Sequence, residues 1–276
     1  MLIRPIVTLD ECRRVAALEK VVWGYTDAED VVPPPLLIVS SRRGGILLGA
    51  FAEDGDMKGF VYSVPAVKDG RLTQWSHMLG VAPEARAGGV GLRLKLAQRE
   101  HALRMGVELI EWTFDPLQAL NASFNFTRLG VVVEEYEANI YGDSTSPLHR
   151  GSPTDRFVAE WRLTAPHVER RLAAAGAPLI RDRSVLSAVL VNPSRSAGEW
   201  LEPGAPALDL TSRRLLVEIP AAFGDMQLRN PELALAWRMS TRQIFQAYLT
   251  RGFRVVDFFL SREAGRGQYL LASAQS

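Results

Sequence analysis

The sequence predicts an α/β fold, in which a mixed, mostly antiparallel twisted sheet is flanked by helices. Two patterns predict it. Segments with apolar residues at helical spacing follow segments that alternate in the manner of strands. Turn signals at residues 53–56 and 69–70 join three strand-like segments, which indicates antiparallel hairpins. The composition agrees, because a chain of 276 residues that is 47% hydrophobic and 23% charged is typical of folded proteins.

The first half of the chain alternates between the two kinds of element. We predict strands at residues 2–8, 45–53, 58–65, 72–81, 108–115 and 131–141. Helices are predicted from Leu9 to about Val22, from the glycine-rich segment 83–91 to about Gly106, and through Asn121 to Gly130. Three consecutive prolines at residues 33–35 exclude a helix interior at that point.

In the second half of the chain we predict a short helix at residues 167–175 and, in the Pro-, Gly- and Ser-rich stretch 192–209, a loop or turns. A strand at 215–220 follows. Asn230 and Pro231 supply a helix cap and a first-turn proline, and they open a helix that runs to Arg251. Strands at 253–260 and 268–272 form a final hairpin.

Charge and cysteine content narrow the classes of partner. The chain has 32 basic and 31 acidic residues, so a net charge of +1 argues against a nucleic-acid partner, which requires a surplus of cations. Cys12 is the one cysteine and indicates a reducing compartment. The first residues lack a long apolar core, and no apolar run reaches the ~18 residues of a membrane span. We therefore expect a cytoplasmic protein with no membrane partner.

The glycine-rich segment has the character of a phosphate-binding loop. It follows a strand that ends at Val81 and contains Arg86, Gly88, Gly89, Val90 and Gly91 before a helix. Glycines permit close approach of a ligand to the backbone, and the free N–H groups of a helix N-terminus attract phosphate. The dinucleotide fingerprint and the Walker loop are both absent from this segment. An ordinary turn stays the alternative.

The spacing Arg86-x-x-Gly89-x-Gly91, preceded by Val81-x-Pro83-Glu84, resembles the coenzyme A loop of the GNAT superfamily of N-acyltransferases. The element order over residues 1–163 is also similar to that superfamily. The runs Trp75–Val81, Trp112–Pro116 and Pro153–Arg156 resemble a longer-chain bacterial subgroup of predicted acetyltransferases, some linked to N-acylation of amino acids.

The resemblance implies a set of binding residues. Backbone groups of Leu79 and Val81 would contact pantetheine and the acyl carbonyl, and the amides of residues 88–91 would hold the pyrophosphate. Asn121 occupies the position of an Asn that faces the pantetheine arm. Many members of the superfamily have a Tyr at the position of Phe126, and that Tyr protonates the departing thiolate. Because Phe126 cannot do so, the resemblance does not identify a general acid in this chain. The implied cosubstrate is acetyl-CoA or another acyl-CoA, and no metal is expected.

Three residues compete for the role of general base, which an arriving ammonium group requires. His77 lies on the strand expected to line the acyl site and titrates near neutrality; its alternative is a packed structural histidine. Asp115 ends the next strand, where open sheets bind ligands, or it caps the helix that Pro116 begins. Glu111 shares the face of Asp115, or it pairs with an arginine.

Two further residues are candidates for acceptor binding. Asn125 lies one helical turn from Asn121, and solvent exposure is its alternative. Arg156 could bind an acceptor carboxylate, or Asp155 and Arg156 could fix a turn by a salt bridge. The expected partner is a small-molecule amine that accepts the acyl group. A homodimer is a further possibility that the sequence does not decide.

The organisation predicted is a GNAT-like acyl-CoA-binding domain at residues 1–163 and a C-terminal α/β domain at 164–276. Tyr248-x-x-x-Gly252-Phe253 repeats the helix–glycine–strand pattern of Phe126-x-x-x-Gly130-Val131, so the C-terminal region is predicted to be a partial GNAT-like repeat. Any α/β fold can contain this pattern. The function expected is an N-acyltransferase that moves an acetyl or succinyl group from coenzyme A to an amine, an amino acid among the acceptors. A non-catalytic acyl-CoA sensor or architectural protein is the alternative.

Overall fold

The computed structural model describes residues 1–27, 29–142, 152–174 and 187–273. These residues form two compact units, one comprising Met1–Trp112 and the other the described residues from Thr113 onward. Each unit combines a mostly antiparallel sheet with helices, so the predicted α/β class is confirmed. The predicted division at residues 163/164 and the C-terminal repeat stay predictions.

The first unit has a sheet in the order β1-β2-β3-β4-β5, with antiparallel neighbours except for the parallel pair β4 and β5. Its strands are β1 (Leu2–Pro5), β2 (Ile46–Phe51), β3 (Met57–Lys68), β4 (Arg71–Val81) and β5 (Leu109–Phe114), whose last two residues belong to the second unit. Its helices are α1 (Leu9–Trp23), α2 (Pro34–Arg42) and α3 (Val90–Arg104).

Local sequence explains where the first two helices begin. Thr8 and Glu11 form a reciprocal capping box at the start of α1, and Gly24 ends that helix in the left-handed conformation with φ 69°. Helix α2 was not predicted from the sequence. Its Pro34 and Pro35 occupy the first turn, where a missing N–H costs nothing, so the proline run opens a helix rather than interrupting one.

The second unit has strands in the order β7-β6-β12-β13-β11-β8, of which β11 and β8 are parallel and the other neighbours antiparallel. Its strands are β6 (Val132–Glu137), β7 (Arg156–Arg162), β8 (Val189–Leu190), β11 (Arg214–Pro220), β12 (Phe253–Ser261), β13 (Arg266–Ser273) and a separate hairpin of β9 (Arg195–Ala197) and β10 (Trp200–Glu202).

The helices of the second unit are α4 (Ala119–Ser123), which continues as a π-helical turn (Phe124–Leu129), α5 (Pro166–Ala173), a short helix (Phe223–Arg229) and a long helix (Pro231–Thr250). Asn230 caps the long helix by accepting a hydrogen bond from the Leu233 N–H, as the sequence predicts. Among the described residues, no helix is both long and apolar enough to span a bilayer.

The sequence patterns did not predict β7 or the short helix Phe223–Arg229. They also did not predict β8 or the hairpin of β9 and β10, which lies in the stretch 192–209. The first six residues of β7 are buried, so the strand lacks the alternation of polar and apolar residues by which a half-exposed strand is recognised. Aromatic rings fill the core around it. Phe157 packs against Phe245 and Tyr269, with ring centroids 4.6 and 5.4 Å away.

Candidate functional site

The glycine-rich loop joins β4 to α3 in the first unit. A 3₁₀ turn at Pro83–Gly88 follows the strand, Gly89 adopts the left-handed conformation with φ 70°, and α3 begins at Val90. The first bond of the helix runs from the Arg93 N–H to the Gly89 carbonyl, at 3.1 Å. The N–H groups of residues 90–92 therefore have no partner within the helix and are available to an anion.

The space around this loop is open. A Cβ atom placed on Gly89 would meet no atom within 4 Å, and one on Gly88 would meet Val90 Cγ2 at 3.9 Å. Both glycines are exposed, as is Arg86, whose Nε donates a hydrogen bond of 3.3 Å to the Val81 carbonyl. This contact holds the guanidinium between the end of β4 and the loop. The residues present therefore fit a diphosphate group on the loop backbone.

Strand β4 changes its pairing just before the loop. Its parallel ladder with β5 has pairs at Gln74–Ile110 and Trp75–Glu111 and extends no further along these two fully described strands. The ladder with β3 shifts register between Tyr62 and Ser63, so His77 is the extra residue of a β-bulge. The β5-facing edge of residues 76–81, which includes Leu79 and Val81, is thus released from strand pairing and available to a ligand.

Solved structures similar to this chain include yncA from Salmonella typhimurium with its cofactor acetyl-CoA, at 18% identity and TM-score 0.49 over 60% of this chain and 95% of that chain. A GNAT-family acetyltransferase from Streptococcus pneumoniae is 17% identical, with TM-score 0.46 over 58% and 97%. The PaiA N-acetyltransferase from Thermoplasma acidophilum in complex with coenzyme A is 16% identical, with TM-score 0.42 over 58% and 98%.

No protein family and no curated protein match this chain in the corresponding comparisons. Apart from the additional helix α2, the elements from β1 to β6 follow the order that the sequence resemblance implies, with the glycine-rich loop between a strand and a helix. The solved structures share an α/β architecture with this chain at low sequence identity. That statement concerns architecture, and the chemistry of the site must be argued from its residues.

The bulge in β4 presents His77 to solvent. The imidazole is exposed, and its ring makes an edge contact with the Tyr62 ring at 6.1 Å between centroids. Partial desolvation by the surrounding protein lowers the pKa of His77 below its ordinary value. The neutral imidazole, which can accept a proton, is therefore the dominant form at pH 7.

The two carboxylate candidates have cationic partners. Asp115 accepts two hydrogen bonds of 2.7 Å from the buried Arg238. Burial alone would raise the pKa of Asp115, but the charge and hydrogen bonds of Arg238 outweigh it and lower the pKa. Glu111 forms a 2.7 Å salt bridge with Lys68. Asp115 also accepts the Leu117 N–H at 2.9 Å, the helix-cap role that was its alternative.

The remaining predicted residues lie in the second unit. Asn121 is exposed, whereas Asn125 is buried and its carbonyl accepts the N–H of Gly130 at the end of the π-helical turn. Arg156 is buried, donates 2.9 Å to the Asp155 carbonyl and lies 5.4 Å from the centre of the Tyr141 ring. The Asp155 carboxylate is bound by Arg242 through bonds of 2.6 and 2.8 Å.

Sequence reasoning missed Arg238, Arg242 and Lys95. The two arginines lie on the long helix, about 120 and 90 residues from their partners, and no local pattern indicates such pairs. Lys95 was visible as a cation on the apolar side of α3. Its Nζ donates to Ser76 Oγ at 3.1 Å and Gln98 Oε1 at 3.0 Å, and lies 3.6 Å from the Trp112 ring centre. Ser76 precedes the bulged His77, so this buried network supports the bulge.

Among the described residues, no group of three or more His, Cys, Asp and Glu side chains is arranged to hold a metal ion.

Proposed function

We propose that this protein is an N-acyltransferase that moves an acyl group from coenzyme A to the amine of a small molecule. The observation that carries the proposal is the open, glycine-lined start of α3 beside a strand whose ladder with β5 ends at Trp75. The start of α3 offers N–H groups, and Arg86 offers a cation, to a diphosphate. The edge of β4 offers unpaired backbone groups to the amides of a pantetheine arm.

The binding roles follow from this geometry. Arg86 and the amides of residues 88–91 would hold the pyrophosphate, and backbone groups of Leu79 and Val81 would hold the arm and the acyl carbonyl. When bound, acyl-CoA would supply a thioester as the acyl source. The chain's own residues then have to align an amine and remove its proton.

His77 is the general base in this proposal. It is exposed, has a lowered pKa and lies two residues before Leu79 on the strand that would hold the acyl carbonyl. Asp115 is second, because the charge and hydrogen bonds of Arg238 lower its pKa and weaken it as a proton acceptor. Glu111 is third, because it is buried and held in a salt bridge with Lys68. Departure of the thiolate needs no dedicated acid, since a thiol pKa near ~8.5 makes the thiolate a tolerable leaving group.

The binding roles of three further residues stay predictions: the pantetheine arm for Asn121, and the acceptor for Asn125 and Arg156. Asn121 is exposed and accessible, which suits contact with a ligand. Asn125 and Arg156 are buried and hydrogen-bonded inside the second unit, so a structural role competes with ligand binding for both.

The second candidate function is a non-catalytic acyl-CoA sensor. Phe126 favours it, because the side chain at the position of the usual acid is an apolar ring packed against Phe114 and Tyr269 at 6.2 and 5.8 Å. Such a protein would bind acyl-CoA through the same loop and release no thiol.

The experiment that separates these functions measures free thiol released from acetyl-CoA and from succinyl-CoA with a panel of D- and L-amino acids and other primary amines. Amine-dependent release supports the transferase, and the panel identifies donor and acceptor class. Binding of coenzyme A by calorimetry with no amine-dependent release would support the sensor. Absence of both would overturn the proposal.

A further inference from the structure

Lys95 is a buried lysine on α3 whose amine contacts two neighbouring strands of the first unit. The residue is 2% exposed. Its Nζ donates to Ser76 Oγ on β4 at 3.1 Å and to Gln98 Oε1 on α3 at 3.0 Å. The same atom lies 3.6 Å from the centre of the Trp112 ring on β5. Two oxygen atoms and one ring face thus match the three N–H bonds of an ammonium group.

These contacts lie where the ladder between β4 and β5 ends. The last parallel pair of these strands joins Trp75 to Glu111, so Ser76 and Trp112 are the next residue of each strand. Lys95 therefore binds both strands at the first position beyond their ladder. On its other side Ser76 pairs with Ser63 of β3, directly before the bulge.

Stability of the fold does not explain a lysine at this position. A buried ammonium group loses its hydration, and burial accordingly lowers the pKa of Lys95 well below its ordinary value. Methionine is similarly long and flexible and has no N–H group to desolvate, so it would fill the same space at less cost. The polar neighbours would keep a partner without the lysine, because Gln98 Nε2 donates to Ser76 Oγ at 3.1 Å.

The place of Lys95 in the sheet offers a different explanation. The register of β4 decides which of its residues carry unpaired backbone groups on the β5-facing edge and which residue is the extra one of the bulge. By binding Ser76 and contacting Trp112, Lys95 fixes that register where regular pairing ends. Such support matters at a reaction site, because a displacement of about 1 Å can lower a rate about 10²-fold.

We propose that Lys95 is a positioning residue, which holds β4 at the end of its ladder with β5 and thereby sets the position of His77 and of the edge at Leu79. Lys95 acts through β4, and no step of the proposed reaction uses its amine. Its effect on turnover rests on the proposed function. Its effect on the placement of the His77 side chain does not.

The first test compares turnover, coenzyme A affinity and stability in Lys95→Met. The matched control is Arg104→Met, which removes an exposed cation from the last turn of the same helix. We expect Lys95→Met to lower kcat at least tenfold, with coenzyme A affinity within twofold of wild type and a urea midpoint no lower than that of wild type. The control should match wild type in all three. Wild-type kcat in Lys95→Met, or a loss of kcat that comes with a lower urea midpoint, would overturn the proposal.

A second variant tests the strand end of the contact. Ser76→Ala removes the hydroxyl that accepts from Lys95 and should lower kcat several-fold. The double variant should turn over about as slowly as Lys95→Met alone, because the two side chains act through one hydrogen bond. Effects that multiply in the double variant would contradict the proposal. Ser76→Ala decides by itself if Lys95→Met does not fold, and wild-type kcat in it would then overturn the proposal.

A third measurement needs no activity. The imidazole of His77 is titrated by NMR, with its signal assigned from His77→Gln. In Lys95→Met a displaced ring should be less desolvated, so the pKa of His77 should rise towards its ordinary value, whereas Arg104→Met should leave it unchanged. A His77 pKa that does not rise in Lys95→Met would overturn the proposal.

Failure of this inference and failure of the proposed function have different signatures. If the pKa of His77 rises in Lys95→Met but amines drive no thiol release in wild type, the positioning role stands and the transferase fails. If amines drive thiol release and Lys95→Met changes neither kcat nor the titration of His77, the transferase stands and Lys95 does not position its base.

Discussion

At the scale of single residues, Gly89 combines two requirements that no other residue type meets. Its φ of 70° lies in the left-handed region, and its exposed backbone forms the start of α3 with no side chain over it. The left-handed conformation matters for folding, and the absent side chain matters for ligand access. The two effects can be separated by making the same substitution at a second glycine that has a similar φ and lies away from the loop.

Gly89→Glu should abolish detectable coenzyme A binding, because it adds a side chain and a negative charge where the pyrophosphate is expected. Gly70→Glu is the matched control: Gly70 is exposed in a hairpin turn with φ 73° and open space around it, so the backbone strain and the added charge are similar. Calorimetry should show lost affinity in the first variant and wild-type affinity in the second. Equal affinities in the two would remove the loop from the proposed site.

The second prediction concerns how Glu19 affects the free energy of unfolding as pH changes. Its pKa is raised in the folded state to about 7 from 4.5, so between these values the folded protein holds more protons than the unfolded chain. The free energy of unfolding attributable to this group therefore falls as pH rises from about 4.5 to about 7. Glu19→Gln removes that loss, and it should be more stable than wild type by on the order of 1–3 kcal/mol at pH 8.

Urea unfolding at pH 4.5, 6 and 8 tests this expectation. The advantage of Glu19→Gln should be largest at pH 8 and should shrink towards pH 4.5, where the wild-type carboxyl is protonated in the fold. An advantage independent of pH would mean that Glu19 does not titrate in this range and that its burial has another explanation.

At the scale of elements, β4 is the strand on which the proposal depends. Its bulge places His77 outside the regular alternation, and the network of Lys95, Gln98 and Ser76 lies directly before that residue. Burial lowers the pKa of Lys95 well below its ordinary value. The helix that begins at the proposed phosphate loop thus also holds the strand that presents the proposed base.

His77→Gln should lower kcat by about 10²–10⁴ and leave coenzyme A affinity intact, since the side chain lies on the bulge and not on the loop. Burial lowers the folded-state pKa of His77, so wild-type kcat/KM should fall on acidification at a lower pH than an unperturbed histidine would give. This acidic limb should be absent from the variant. Near-wild-type turnover with an unshifted limb would make His77 structural and move attention to Asp115.

At the scale of the whole molecule, each unit has its own core, and the second unit contains a buried ion pair. Arg238 is 1% exposed and holds Asp115 through two bonds of 2.7 Å. The proposed function assigns Arg238 no role in catalysis or binding. Its positive charge compensates the carboxylate of Asp115, the residue that directly follows β5.

Arg238→Met should lower the unfolding free energy of the second unit by about 3–5 kcal/mol, because it removes the cation that donates two hydrogen bonds to the Asp115 carboxylate. The double variant Asp115→Asn with Arg238→Met should recover part of that loss. Arg213→Met, which removes an exposed arginine of the same unit, should change stability by less than about 0.5 kcal/mol. Denaturant unfolding gives all three values, and a loss in Arg238→Met as small as in Arg213→Met would contradict the role of the pair.

The sequence by itself determined the α/β class, most of the strands, and the loop between β4 and α3. These features are local: turn residues, helix caps and glycine spacing act on neighbours within a few positions, so they can be read along the chain. The same holds for the cap at Asn230 and the end of the π-helical turn at Gly130.

Only the tertiary structure decided what surrounds the titratable groups. The pairing of Asp115 with Arg238 joins residues far apart in sequence, and so does the strand register that makes His77 the extra residue of a bulge. A charge is stabilised or destabilised by every element packed against it, and sequence spacing does not encode that environment. The environment of each candidate proton acceptor therefore depends on the tertiary fold, whereas the glycine-rich loop between β4 and α3 is recognisable from the local sequence.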